Sequence, residues 1–162
     1  MEYSYYDSPV GRLLLTSEHG ALTGLWMDAR APEGASREED NPVLIQTKNW
    51  LDGYFRGEPP EIDFPLAPEG TAFQCRVWQI LLAIPYGETR SYGDIAREAA
   101  ALMGKKKMSA QAVGGAVGRN PISILIPCHR VVGAGGQLTG YAGGLERKAW
   151  LLGHEKGENP TA

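Results

Sequence analysis

Cys128, His129 and Arg130 follow one another in the string Ile126-Pro127-Cys128-His129-Arg130-Val131-Val132, which sets a thiol, an imidazole and a guanidinium side by side after an apolar run. A thiolate is a strong, soft nucleophile, yet a free cysteine with a pKa of about 8.5 is only a few per cent ionised at neutral pH. It needs a base or a positive field. His129 is the candidate base, and the charge of Arg130 favours thiolate unless it is spent in an ion pair. The pair alone also fits a buried, inert thiol, because sequence neighbours often point apart. A Cys-His hydrolase would need an oxyanion hole, for which the sequence carries no independent signal.

The elements that must position this string are legible from turn and capping residues. Residues 3–6, 10–17 and 21–27 are β-prone and separated by Ser8-Pro9-Val10-Gly11 and Glu18-His19-Gly20, so a small antiparallel sheet is expected first. Asn41-Pro42 opens a helix with Leu44, Thr47, Leu51 and Tyr54 at helical spacing, ending at Gly57. A Pro-rich connector follows, with Ile62-Asp63-Phe64 expected as a last short strand and a domain boundary near residue 70. Thr71 and Gln74 form a capping box for a helix whose apolar face is Phe73, Val77, Ile80, Leu81 and Ile84. Ser91 and Ser109 open two further short helices, a helix-turn-helix pattern. Ile122–Ile126 is β-prone, and a last helix runs from Leu145 toward His154-Glu155. The fold class expected is α/β: an N-terminal antiparallel sheet with a helix over residues 1–69, then a mostly helical, winged-helix-like domain over 70–156 and a tail over 157–162.

Composition narrows the function. With 162 residues, 43% of them apolar, and four Trp, the chain can bury a real core. No basic leader and no apolar run near ~20 residues is present, so a cytoplasmic protein without a membrane span is expected. Two cysteines are too few for a disulfide framework, which favours free thiols. The net charge of −3 hides an asymmetry. Residues 1–70 carry five Lys/Arg against thirteen Asp/Glu, a net −8, whereas residues 71–155 carry ten against five, a net +5. Only the second part suits a polyanion.

Further motifs resolve the ambiguity of the Cys-His pair. Gly70-Thr71-Ala72-Phe73-Gln74, Ile84-Pro85-Tyr86-Gly87-Glu88-Thr89, Ser91-Tyr92-Gly93-Asp94-Ile95-Ala96, Asn120-Pro121-Ile122, the cysteine string itself and Gly140-Tyr141-Ala142-Gly143-Gly144 through Trp150-Leu151-Leu152-Gly153-His154-Glu155 resemble the O6-alkylguanine-DNA alkyltransferases, the methylated-DNA-protein-cysteine methyltransferases. The resemblance covers most of residues 70–155. It implies direct-reversal repair in which an O6-alkylguanine, with O4-alkylthymine as a second candidate, is flipped from duplex DNA and its alkyl group moves irreversibly to Cys128. By the same resemblance Glu155 orients His129, which deprotonates the thiol through a water. Tyr92 supplies a hydrogen bond or proton to the departing oxygen. Tyr141, Ala142, Gly143 and Val117 line the base pocket, Asn120 ties two helical segments together, and the glycine-rich helix with Gly114 and Gly115 enters the minor groove. Arg130 is counted with the substrate- and DNA-facing residues.

The chain departs from the family where an arginine usually precedes the Ala-Val pair of that helix: Gln111 stands there instead. Lys105-Lys106-Lys107 lies in a lengthened turn just before it and is expected to contact phosphate. Residues 1–70 hold no cysteine and only His19, so no zinc site is expected there, nor any cofactor or other metal. The partner expected is double-stranded DNA containing O6-alkylguanine, bound by a monomer without an obligate protein partner. The alternative is an alkylated-DNA-binding or regulatory protein with little transfer activity.

Overall fold

The computed structural model describes residues 1–158; residues 159–162 of the expected tail lie outside the described residues. Strands β1 (Glu2–Ser8), β2 (Gly11–Glu18) and β3 (Ala21–Met27) form an antiparallel meander, with Ser8 opposite Gly11 at the first turn. Alternation sets the buried face: Leu13, Leu15, Leu22 and Leu25 are sealed in the core. A fourth strand, β4 (Ser36–Arg37), pairs parallel to β1, so the sheet is mixed, in the order β3-β2-β1-β4, rather than purely antiparallel. Its two polar residues carry no β signal; backbone bonds from Ser36 N to Met1 O and from Glu38 N to Tyr3 O hold it.

Helix α1 (Pro42–Phe55) starts where Asn41 Oδ1 accepts the amides of Val43 and Leu44, while Asn41 Nδ2 donates to Ser17 Oγ and fastens the helix end to β2. Val43, Leu44, Thr47, Trp50, Leu51 and Tyr54 face inward. The expected strand at Ile62-Asp63-Phe64 does not form. The chain touches the sheet only further on, where Leu22 N donates to Pro65 O and Ala67 N to Leu22 O, since the prolines at 60, 65 and 68 have no N–H for a ladder.

Helix α2 (Ala72–Leu82) has the Thr71/Gln74 capping box in full, and α3 (Tyr92–Leu102) is capped by Ser91 with Asp94. Helix α4 (Ala110–Gly118) begins at Ser109, whose Oγ accepts the Ala112 amide. Three glycines cost this helix about 1 kcal/mol each relative to Ala. It is held by burial of Val113, Ala116 and Val117 and by Trp78 Nε1 of α2, which donates to the Ala116 carbonyl at 2.9 Å. Helices α3 and α4 pack against each other and against α2, the helix-turn-helix arrangement expected. Beside them β5 (Arg90–Ser91) pairs parallel with β6 (Val131–Val132), and α5 (Leu145–Glu155) closes the fold. The apolar core is continuous across residue 70, from Leu13 and Leu51 through Trp78 and Ile95 to Leu151.

Candidate active site

Cys128 sits at the start of a 3₁₀ turn, Cys128–Arg130, and the segment before it explains how it is held. Residues 122–126 pair with the sheet only at Ile122, across from Leu25, and do not form the expected strand. The reason is Asn120. Its Oδ1 accepts the Ile122 amide at 2.9 Å, and its Nδ2 donates to the Ile126 carbonyl at 2.7 Å, so one side chain closes both ends of the segment into a buried loop. Ile124 takes φ +71° inside it, a costly conformation for a β-branched residue. The Ile126 carbonyl also accepts the Cys128 amide at 2.8 Å, so Asn120 fixes the position of the thiol two residues on.

The thiol is 6% exposed. Burial pushes its pKa up, while the Asn120 side chain and the charge of Lys148 favour the thiolate. His129 is fully buried, and its Nε2 lies 2.5 Å from Glu155 Oε2. With Nε2 on a carboxylate the imidazole is held in the tautomer that leaves Nδ1 as acceptor; Nδ1 is buried and has no hydrogen-bond partner among the described residues. Burial depresses the His129 pKa, an effect that Glu155 opposes and that the charges of Arg130 and Lys148 reinforce.

Glu155 is the hub. Arg130 donates to it from Nε at 2.7 Å and from a terminal nitrogen at 3.1 Å, the Gly87 amide donates at 3.1 Å and Tyr54 Oη at 2.7 Å. Burial alone would raise its pKa, but the His129 and Arg130 contacts outweigh that and hold the carboxyl well below the usual range. A helix end that reads as solvated in sequence is thus a sealed anion. Arg130 is buried too and donates from Nη1 to the Ile84 carbonyl at 2.8 Å, so its guanidinium faces inward to this network.

Tyr92, the first residue of α3, donates from Oη to the Thr139 carbonyl at 3.2 Å, and burial raises its pKa, so it stays a phenol. Lys148 of α5 is completely buried: Nζ donates to the Val131 and Thr139 carbonyls at 2.6 and 2.8 Å. Thr139 O therefore receives both the phenol and the ammonium. The Tyr141 hydroxyl is buried without a hydrogen-bond partner among the described residues. Gly143 lies where a Cβ would come within 2.5 Å of Met27 Sδ and 2.8 Å of the Tyr141 ring, so a side chain here would displace Met27 or the ring. Ala142 and Gly143 help line a small cavity of about 100 Å³ with Asn120 and Ser123. Val117 points into the core, whereas Gln111 and Gly115 are exposed on α4, and a Cβ at Gly114 would lie 3.9 Å from the Tyr92 ring. Among the described residues no group of His, Cys, Asp and Glu could hold a metal ion.

Two family models match the chain: the ribonuclease-like domain of 6-O-methylguanine DNA methyltransferase over residues 1–68 and the DNA-binding domain over residues 72–157. The chain is 49% identical over 152 residues to a methylated-DNA–protein-cysteine methyltransferase of Mycobacterium leprae, covering 93% of this chain and 89% of that one. It is 45% identical over 158 residues to the Haemophilus influenzae protein of the same name, covering 95% and 86%. The Mycobacterium tuberculosis OGT solved in complex with DNA superposes with a TM-score of 0.86 at 45% identity, over 99% of this chain and 96% of that one. Matched in both halves, and nearly half identical to relatives along almost its whole length, the chain belongs to the family of methylated-DNA–protein-cysteine methyltransferases.

Proposed function

We propose that this protein repairs alkylated DNA by moving the alkyl group of a flipped O6-alkylguanine onto Cys128, as a monomer and once per molecule. The observation that carries the reading is the buried thiol next in sequence to an imidazole whose Nε2 is held by a sealed carboxylate. His129 takes the thiol proton at Nδ1 through a water. Sulfur attacks the alkyl carbon as the carbon–O6 bond breaks and its electron pair stays on the base. Tyr92 donates a hydrogen bond to the oxygen as it gains charge, and a proton returns to the guanine. The product is a thioether on Cys128, which nothing in the site can reverse, so each molecule is consumed.

O6 lies inside the stacked duplex, so the base must leave the stack. Residues 70–156 supply that work in this reading: α4 lies in the minor groove with Gly114 and Gly115 against the backbone, and Tyr141, Ala142 and Gly143 receive the base. Residues 1–69 buttress them. The similarity to a protein solved in complex with DNA supports DNA as the partner.

Intact-mass measurement after mixing the protein with a duplex carrying one O6-methylguanine tests the proposal. A gain of one methyl group, located on Cys128 and absent in Cys128→Ser, is the expected result. Binding without a mass change would favour a lesion-binding regulator; repeated turnover of unmodified protein would rule out the stoichiometric mechanism.

A further inference from the structure

Tyr54 belongs to α1, on the sheet side of the molecule and 101 residues from Glu155 in sequence, yet its hydroxyl reaches the catalytic carboxylate at 2.7 Å. The oxygen it meets, Oε2, is the one that holds His129 Nε2. The ring is fully buried, stacked on Trp50 with centroids 5.4 Å apart, set edge-on to Phe55 and Tyr86, and packed against His154 at 5.3 Å. Its own carbonyl is bonded to His154 Nε2 at 2.7 Å, next to Glu155 in α5. The phenol is thus locked from several sides onto one oxygen atom.

We infer that Tyr54 is a positioning residue for alkyl transfer, setting how basic His129 is by sharing the Glu155 oxygen that holds the imidazole. This rests on the alkyl-transfer reading above. A hydroxyl donated to Oε2 withdraws part of the charge that would otherwise stabilise imidazolium, so the imidazole stays neutral to lower pH. Burial and the Glu155 charge hold the phenol protonated, so it acts as a donor throughout. The other charged and titratable groups facing this cluster are Arg130 on Glu155, Tyr86 beside Tyr54, Lys148, whose charge acts on both His129 and Cys128, and Tyr141, which feels the Glu155 charge.

The test uses the full chain with Tyr54→Phe, which keeps the ring packing and deletes only the hydroxyl. The His129 imidazole, followed by NMR, and the acid limb of the single-turnover methyl-transfer rate should both move to higher pH by about one unit, roughly a ten-fold loss of rate at a fixed pH on that limb. Site-specific 3-fluorotyrosine at position 54, a stronger donor, should move both to lower pH. A merely structural tyrosine would change stability while leaving both midpoints where they are in the unsubstituted protein, and that result overturns the inference. If the unsubstituted protein transfers no methyl group the alkyl-transfer reading fails, but the imidazole titration still reports on Tyr54.

Discussion

The carboxylate of Glu155 receives donors from four directions, and burying such an anion is tolerable only because each bond is made. Arg130 is its main counter-ion and has no second carboxylate within ion-pair distance among the described residues. Glu155→Gln keeps the shape and removes the charge, leaving a buried guanidinium uncompensated. The expected loss is about 3–5 kcal/mol of unfolding free energy, measured by urea denaturation. Methyl transfer should fall as well, because a neutral amide no longer stabilises the imidazolium formed when His129 takes the thiol proton. A variant as stable as the parent would mean that the ion pair is not the fastener its geometry describes.

The turn between α3 and α4 carries three of the ten Lys/Arg of residues 71–155, whereas α4 itself carries no charged residue. Lys105, Lys106 and Lys107 are exposed on that turn and line a groove of about 500 Å³ with Gly93, Arg97 and Ser109, beside the start of α4. Gln111 on α4 carries no charge, and these lysines bring positive charge beside the start of that helix. Changing all three to Ala should reduce the slope of log affinity against log salt by up to about 2.7, near 0.9 for each phosphate that is no longer neutralised. An unchanged slope would place the turn away from the DNA. These helices are readable in the sequence because their signals are local: Ser91 with Asp94, Thr71 with Gln74 and Asn41 with Pro42 each cap within three residues. The expected strand at 122–126 fails because Asn120 offers that backbone a closer partner than any neighbouring strand, a competition that propensity does not register. Of the chemistry, Cys128 and His129 are legible from their own string, and Glu155 only from the family resemblance. Tyr54 and Lys148 are hidden because each is buried against partners on other segments, Glu155 for Tyr54 and the Val131 and Thr139 carbonyls for Lys148, which local spacing does not register.

The active-site network also fastens the sheet side to the helical side. Glu155 at the end of α5 binds Tyr54 of α1, and Arg147 of the same helix grips Asp28 just after β3 while donating to the Val10 carbonyl. Acid should therefore act on the entire fold, in two stages of definite sign. His129 has its folded pKa depressed by burial, so the neutral imidazole is favoured by folding and stability falls as pH drops below the unfolded value of about 6.5. Glu155 also has a depressed folded pKa, so its contribution is fully present above the unfolded value of about 4.3 and is lost as pH falls through the folded one. Urea midpoints measured from pH 7.5 to pH 3 should decline first as pH falls below about 6.5 and again below about 4.3. His129→Gln isolates the first stage, since it removes that imidazole alone and leaves the other two histidines of the chain in place. It should flatten the upper decline and leave the lower one in place. An identical upper decline in the variant would show that the His129 imidazole is not what couples protonation to the joining of the two halves.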